Sequence, residues 1–527
     1  MYSSCKVHAR SALCATPSLF CICPEITPKS MKTLSRIFYS RASLPFWLTA
    51  CAIAVWSLAG ALVNGAQYAD NLEQFAWSHS LELGYWKHPP LPTWLMAAPL
   101  RLIGFSVYWT YALAAACFIG TAFFTWRITL RLFGQQAGLF AVLLLSLHIG
   151  FSWRAQLYNH NTVLLMFCAA TVWAVLRALD SGRWQAWAGV GVLGGLAMLS
   201  KYQAVVPFAG IAIALFLGGY LTQARVRWGV ALAMAVAMLV FLPHLVWMAM
   251  GAGSTIDNVL HSAEGLGPLR RITVLLGFWL VQLRFHVPIL VAVGLLVLFK
   301  SKLTDAPAAP TSVSLDSQTR GWMIGLVAWP AVFVSLVVLT GGVRLEAQWG
   351  LQTFQFLIIF IAWRLSLVLP QNDPSRTLGI VALAQVILAG VFVWSIAYPS
   401  QPIWKGARER NFPAQMVAGE VVRQWRAATH CPLRNVVGPS FEATVVSAYS
   451  GYNPAVVEDG DFRKSPWVKP SQLEDQGAMY LTLFSAYFPP GVQPVGQVVV
   501  PARVNDLQPA RTLYLGVALP KTPCGGN

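Results

Sequence analysis

Between residues 45 and 397 the chain alternates long apolar runs with short polar turns, and the runs approach the length of membrane-crossing helices. They fall near 45–62, 106–126, 137–153, 161–178, 186–199, 203–221, 229–250, 272–299, 321–341, 351–369 and 378–397. The pattern predicts a polytopic α-helical membrane protein with about 11 transmembrane helices. Residues 91–104 are apolar but Pro-rich and predict a short interfacial helix. Residues 300–320 read as a linker on the inner side. Beyond residue 400 charge rises, Pro and Gly become frequent, and short runs such as Val498–Val500 and Leu513–Val517 read as strands. Residues 400–527 are therefore expected to form a small extracytoplasmic α/β domain.

Composition agrees with this pattern and narrows it. Of 527 residues, 56% are hydrophobic and only 11% charged, which excludes a soluble multi-domain enzyme and a disordered or collagen-like chain. The net charge of +17 would point to nucleic acid in a soluble protein. Here it follows from cationic loops on one side of a membrane, and no nucleic-acid partner is expected. With the N-terminus inside, the inner tail and loops carry 17 Lys and Arg against 7 in the outer loops. An odd number of spans then leaves the C-terminus outside. The 22 Trp suit interfacial belts. The nine Cys form no framework and no zinc pattern, although Cys431 and Cys524 can pair if the C-terminal part meets an oxidising compartment. Residues 1–44 read as a cytoplasmic tail. Within it, residues 1–30 are Ser-, Cys- and Pro-rich and unlike the rest, and Met31 reads as the true start.

Charge near membrane depth is costly and tends to be functional. Of the carboxylates between residues 45 and 400, six are assigned to the outer side: Asp70, Glu73, Glu82, Asp257, Glu264 and Glu346. Three share the loop over residues 63–92. Asp70 and Glu73 are spaced to share a helical face, which Trp77 and Leu81 extend, so the helix is expected on the membrane surface. Gly84 would end it, and Pro89-Pro90 would keep Lys87 and His88 on a stiff turn. A carboxylate beside a cation at the lipid boundary can deprotonate a hydroxyl while the cation holds an anionic leaving group. The same spacing fits an ordinary surface helix with solvated charges. Tyr158-Asn159-His160-Asn161, Lys201-Tyr202 and the Arg344–Glu346 loop also return to the outer side. For these, helix capping by Asn161, a snorkelling lysine and a turn-bracing ion pair remain open. If Lys87, Arg154, Lys201 and Arg344 converge, they form an anion site at the bilayer surface, suited to a lipid phosphate.

The string Asp70-Asn-Leu-Glu73-Gln…Trp77-Ser…Leu-Gly84-Tyr85-Trp-Lys87-His88-Pro89-Pro90-Leu91 resembles the first outer loop of family 39-type glycosyltransferases of the GT-C fold. That family includes protein O-mannosyltransferases and the aminoarabinose transferase of lipid A. Gly84-Tyr-Trp-Lys-His-Pro-Pro-Leu91 is its most specific part. Tyr158-Asn-His-Asn-Thr162 and Leu199-Ser-Lys-Tyr202 are similar to later landmarks of the bacterial members. The resemblance covers roughly residues 45–370. It implies a membrane catalytic domain over 45–399 in the bacterial inner membrane, with its active site on the periplasmic side. It implies transfer of a sugar from a polyprenyl-phosphate donor to a glycolipid, polysaccharide or protein acceptor, with inversion. The general base maps to Asp70. Relatives often carry Asp-Glu there, whereas this chain has Asn71 and then Glu73, which shares the acid's role or orients the site. Lys87 maps to the donor-phosphate lysine, with Lys201 and Arg344 as further phosphate contacts. Tyr85, His88, Asn159, His160, Asn161, Tyr202 and Glu346 are expected to line the substrate site. No cofactor is expected; a divalent metal is known in some GT-C enzymes, but Asp70, Glu73 and His88 are too sparse a ligand set to imply one. The rival readings are a polytopic transporter or lipid flippase, and a non-catalytic assembly or receptor protein.

Overall fold

The computed structural model describes residues 43–250, 266–299, 315–343, 345–346, 349–369, 374–397, 411–484, 487–500, 510–522 and 524. Residues 1–30, Asp257, Glu264, Arg344 and most of the 300–320 stretch lie outside the described residues.

The membrane part comprises α1 (Leu44–Val63), α4 (Trp109–Leu145), α5 (His160–Ser181), α6 (Trp184–Ser200), α7 (Val205–Leu217), α8 (Ala224–Ala249), α9 (Pro268–Leu298), α10 (Ser317–Gly341), α11 (Leu357–Val368) and α12 (Pro374–Ala397). Two shorter helices, α2 (Ala69–Trp77) and α3 (Leu91–Leu102), lie between α1 and α4. Among the described residues, seven helices are long and apolar enough to cross a membrane, and the other expected spans are shorter. The chain is a multi-pass membrane protein. The α4 range holds two helices that meet at Gly134, in keeping with the two runs expected on either side of it. Gly134, at φ 82° and ψ −175°, breaks its helical path. Gly138 then comes back against Trp126 and Leu130, so the chain reverses there. The expected run 137–153 stops at Leu145 and gives way to turns, where the Ser146 hydroxyl donates to the Leu143 carbonyl.

Small residues set the closest helix approach. Gly191 and Gly195, four apart on α6, face α8, and a Cβ on Gly191 would stand 2.5 Å from the Ala233 carbonyl oxygen. Without a hydrophobic force between helices in lipid, such close backbone packing is what holds them together. Polar cross-links add to it: Trp56 Nε1 donates to Gln385 Oε1 (2.9 Å), joining α1 to α12.

The C-terminal part contains α13 (Ala414–Ala428), α14 (Ser440–Tyr449), α15 (Pro470–Gln476) and strands β1 (Asn435–Gly438), β2 (Ala455–Glu458), β3 (Ala478–Thr482), β4 (Gln493–Val500) and β5 (Arg511–Ala518). The sheet order is β2-β1-β3-β5-β4. β1 pairs in parallel with β2 and β3, while β5 runs antiparallel to β3 and β4. Both strands expected from the sequence are present, Val498–Val500 as the end of β4 and Leu513–Val517 as the middle of β5. Cys431 and Cys524 form a disulfide with Cα atoms 5.6 Å apart. The β1-α14-β2 crossover packs α14 on α2, so Leu72, Phe75 and Ala76 share one core with Phe441, Val445 and Val446.

This packing corrects the expectation for α2. The helix does not lie on the membrane surface, because all residues from Asn71 to Trp77 are buried. It also ends at Trp77, before Leu81 and Gly84, because the Ser78 hydroxyl takes the Phe75 carbonyl (2.6 Å). Leu81 stays exposed.

Candidate active site

Helix α2 supplies two carboxylates with different surroundings. Asp70, in the first turn, is only partly buried, and its Oδ2 accepts from Asn159 Nδ2 (2.7 Å). Among the described residues nothing hydrogen-bonds its other oxygen. Glu73, one turn later, is 7% exposed and ion-paired with Lys87. Burial raises Glu73 to about 8, against the pull of Lys87 and with help from Glu458 and Asp70. The same carboxylates hold Lys87 above its ordinary value despite burial, so Lys87 stays charged.

Asn71 explains the departure from an Asp-Glu pair. Its Nδ2 donates to the Gln156 carbonyl (3.1 Å) and its Oδ1 accepts from the Tyr158 N–H (2.9 Å). A carboxylate cannot donate the first of these bonds. Asn71 is thus a clamp that brings the 156–161 segment, and Asn159 with it, to Asp70. Asn159, not Asn161, caps α5: its Oδ1 accepts from the Thr162 N–H (3.0 Å) while its amide serves Asp70.

Lys87 and His88 sit on the expected stiff turn. Tyr85 and His88 exchange both backbone hydrogen bonds (2.9 and 3.1 Å) before Pro89-Pro90 and α3. Upstream, a Cβ on Gly84 would stand 2.4 Å from the Trp247 ring, so only glycine lets the loop pass α8. His88 lies against His160, ring centres 3.8 Å apart, and Gln74 is within 3.5 Å of His160 Nε2. Burial, with His160 and the two lysines Lys201 and Lys87 nearby, keeps His88 well below the usual imidazole value, so it is neutral. On the far side, Lys201 Nζ donates to Asn161 Oδ1 (2.6 Å), which also accepts from Gln352 Nε2 (2.8 Å).

The structure therefore gathers Asp70, Glu73, Lys87, His88, Asn159, His160, Asn161 and Lys201. Tyr85 adjoins them, but its ring is buried in a stack on Trp77 (4.9 Å) and its hydroxyl donates to the Ser80 carbonyl. Tyr202 is turned to His244, whose other nitrogen bonds the Leu83 carbonyl (2.6 Å), so it braces the loop. Glu346 is exposed and acts on Lys201 only through its charge. Arg344 is outside the described residues. Arg154 lies over Phe285 (5.9 Å).

Sequence reasoning missed Glu458. It is the last residue of β2, 1% exposed, and its Oε1 accepts from Trp77 Nε1 (2.6 Å) while Oε2 accepts from Ser440 (3.2 Å). The available signal was an acid closing an apolar strand, Ala455-Val-Val-Glu458. Trp77 also lies beneath Lys87 (5.8 Å), so the C-terminal carboxylate supports the ring on which the lysine rests. No group of three or more His, Cys, Asp or Glu side chains placed to hold a metal occurs among the described residues.

Residues 87–247 match the family model described as dolichyl-phosphate-mannose-protein mannosyltransferase. Two sequence relatives come from Rhizobium johnstonii. The lipid A galacturonosyltransferase RgtD is 27% identical over 341 residues, 63% of this chain and 68% of that protein. The lipopolysaccharide core galacturonosyltransferase RgtA is 22% identical over 406 residues, 72% of this chain and 79% of that protein. Among solved structures, ArnT from Cupriavidus metallidurans bound to undecaprenyl phosphate aligns with a TM-score of 0.56 at 12% identity, covering 91% of this chain and 98% of that one. At that identity the likeness establishes a shared fold.

Proposed function

We propose that this chain, a membrane glycosyltransferase of the GT-C architecture, moves a sugar from a polyprenyl-phosphate donor to a lipopolysaccharide-type glycolipid on the periplasmic face of the bacterial inner membrane. The glycosyltransferase class rests on agreement between the outer-loop motif, the named relatives and the shared fold. The glycolipid acceptor follows from the lipid A and core enzymes among the relatives. The disulfide suits an oxidising periplasm.

Asp70 acts as general base. It removes the proton of an acceptor hydroxyl, whose oxygen attacks the anomeric carbon as the bond to the phosphate oxygen breaks. The configuration inverts, and polyprenyl phosphate leaves with its negative charge held by positive groups placed beforehand. Lys87 meets the phosphate, and Lys201 adds positive charge to the bound donor. Arg344, in the loop after α10, is a further proposed phosphate contact. Glu73 positions Lys87 through their direct contact and, in its protonated form, yields the lysine's charge to the phosphate. Asn159 orients the Asp70 carboxylate through one oxygen and leaves the other to the acceptor. The observation that carries the reading is this juxtaposition: one oriented carboxylate and two lysines from distant parts of the chain, gathered where α5 begins and α6 ends. Charge collected at one face, rather than along a central pathway, is what disfavours the transporter.

The test uses the purified chain with a polyprenyl-phosphate sugar and lipid A. Lys87→Ala is expected to weaken donor binding by roughly 1.5–3 kcal/mol, the range of a charged hydrogen bond. Unchanged donor affinity would remove Lys87 from the phosphate site. Ligand flux across sealed vesicles without sugar transfer would favour the transporter.

A further inference from the structure

Two imidazoles stand inside the site, beside the groups that take the proton and meet the phosphate. His88 follows Lys87 on the stiff turn, and His160 opens α5. Their ring centres are 3.8 Å apart, and both rings lie against the Trp77 indole, at 6.4 Å for His88 and 5.9 Å for His160. His160 is tied down from behind. Its Nε2 is within 3.5 Å of Gln74 Nε2, and Gln74 Oε1 accepts from the Thr93 hydroxyl (2.7 Å). An amide nitrogen only donates, so His160 Nε2 accepts and the ring orientation is set. His88 differs. The other described histidines of the membrane part, His79, His148, His160, His244 and His286, each have a ring nitrogen on a polar partner. Among the described residues neither ring nitrogen of His88 has a hydrogen-bond partner, and the residue is only partly buried. Its plane is fixed by stacking while its polar edge stays available to a ligand.

The charges around His88 say what that edge can do. Lys87 on its own turn and Lys201 beyond α6 both act on the ring, and together with burial and His160 they keep it neutral. The carboxylates of α2 are engaged elsewhere, Asp70 with Asn159 and Glu73 with Lys87. A neutral imidazole carries one N–H and one lone pair. The lysines that hold it neutral also make it a poor base, which leaves proton removal to Asp70. A phosphate that meets both lysines is brought beside this N–H. The donor phosphate is a diester with one negative charge, and the lysines already meet that charge before reaction. When the bond from the anomeric carbon to the phosphate oxygen breaks, its electron pair stays on that oxygen and the phosphate becomes a dianion. An uncharged donor placed there gains strength as the second charge forms, and so acts on the transition state more than on the bound donor.

We infer that His88 is a catalytic residue, a neutral hydrogen-bond donor to the departing phosphate, with His160 as the positioning residue that fixes its ring. No proton leaves His88: the acceptor's proton goes to Asp70, and the electron pair of the broken bond goes to the phosphate oxygen that His88 contacts. This rests on the glycosyltransferase reading above and adds a residue to the same site.

The experiment needs neither the sugar nor the acceptor. The full chain in lipid nanodiscs at pH 7 is titrated with polyprenyl phosphate, the leaving group, and with its methyl ester, a monoanionic diester that stands in for the donor. A phosphate monoester is mostly dianionic at that pH, its second pKa being about 6. His88→Phe keeps a ring for the stack and removes the N–H. It should lose about tenfold or more in affinity for polyprenyl phosphate, the low end for a hydrogen bond to a charged group, and less than about threefold for the methyl ester. His88→Asn and His88→Gln place a neutral N–H near one or the other ring nitrogen, and one of them should return the ratio of the two affinities to within about threefold of the wild type. Equal losses on both ligands in His88→Phe, or no loss on either, would overturn the inference. Restoration by neither amide would overturn it as well. If His88→Phe does not fold, His88→Leu reads the same difference. Binding of neither ligand by the wild-type protein would instead sink the glycosyltransferase reading on which the inference stands.

Discussion

Replacing Glu73 by Gln should flatten the alkaline side of the donor-binding profile. Glu73 is ion-paired with Lys87, and a phosphate arriving at Lys87 must compete with that carboxylate. Burial, Glu458 and Asp70 raise Glu73 from the ordinary carboxylate value to about 8. The sign follows: the proton is held below about 8 and lost as pH rises through it. Protonated Glu73 leaves Lys87 to the phosphate, whereas ionised Glu73 opposes it. If binding requires the protonated form, the apparent Kd is multiplied by about 1.1 at pH 7 and about 11 at pH 9. That tenfold penalty corresponds to about 1.4 kcal/mol. Gln mimics the protonated acid at every pH. Loss of charge at Lys201 over the same range affects both proteins alike and cancels in their ratio. Equilibrium binding of a fluorescent polyprenyl-phosphate sugar should therefore give nearly equal Kd values at pH 7. At pH 9 the variant should bind about tenfold more tightly than the wild type. Parallel profiles, or a variant that is weaker by one factor throughout, would refute the idea that Glu73 yields Lys87 to the donor.

Two further outcomes follow from the C-terminal part. Glu458→Ala leaves the buried Trp77 indole without its acceptor and should cost about 1–3 kcal/mol in thermal or denaturant unfolding, with reduced transfer because Lys87 rests on that ring. Wild-type stability and activity would show that the C-terminal carboxylate does not support the site. Cys431→Ser opens a disulfide that spans 93 residues and should lower the stability of the C-terminal part by about 2–5 kcal/mol, read by protease resistance with and without reductant. Equal resistance of the two proteins under oxidising conditions would contradict this.

The sequence made the membrane architecture and the stiff turn of the outer loop legible because both rest on local signals. Lipid-length apolar runs, the Pro89-Pro90 stop and the loop charges can be read residue by residue. What escaped depended on packing between distant segments. Helix α2 looked like a surface helix because its amphipathic face does not reveal whether lipid or another domain covers it; α14 does. Asn71 read as a missing acid because its two backbone partners lie 85 and 87 residues away. Glu458 was hidden for the same reason: its indole partner is 381 residues away. Tyr85 and Tyr202 were placed in the substrate site by their neighbours in sequence, and the structure commits both hydroxyls to internal bonds.

The central claim is that Asp70 takes the proton of the acceptor, and Asp70→Asn tests it most directly. The amide keeps the size of the side chain and an oxygen for the Asn159 contact, while losing the basic carboxylate. Sugar transfer from a polyprenyl-phosphate donor to lipid A should fall at least about a hundredfold, the lower range for loss of a general base. Donor Kd and the melting temperature should stay near the wild-type values. Undiminished transfer by Asp70→Asn would contradict the account.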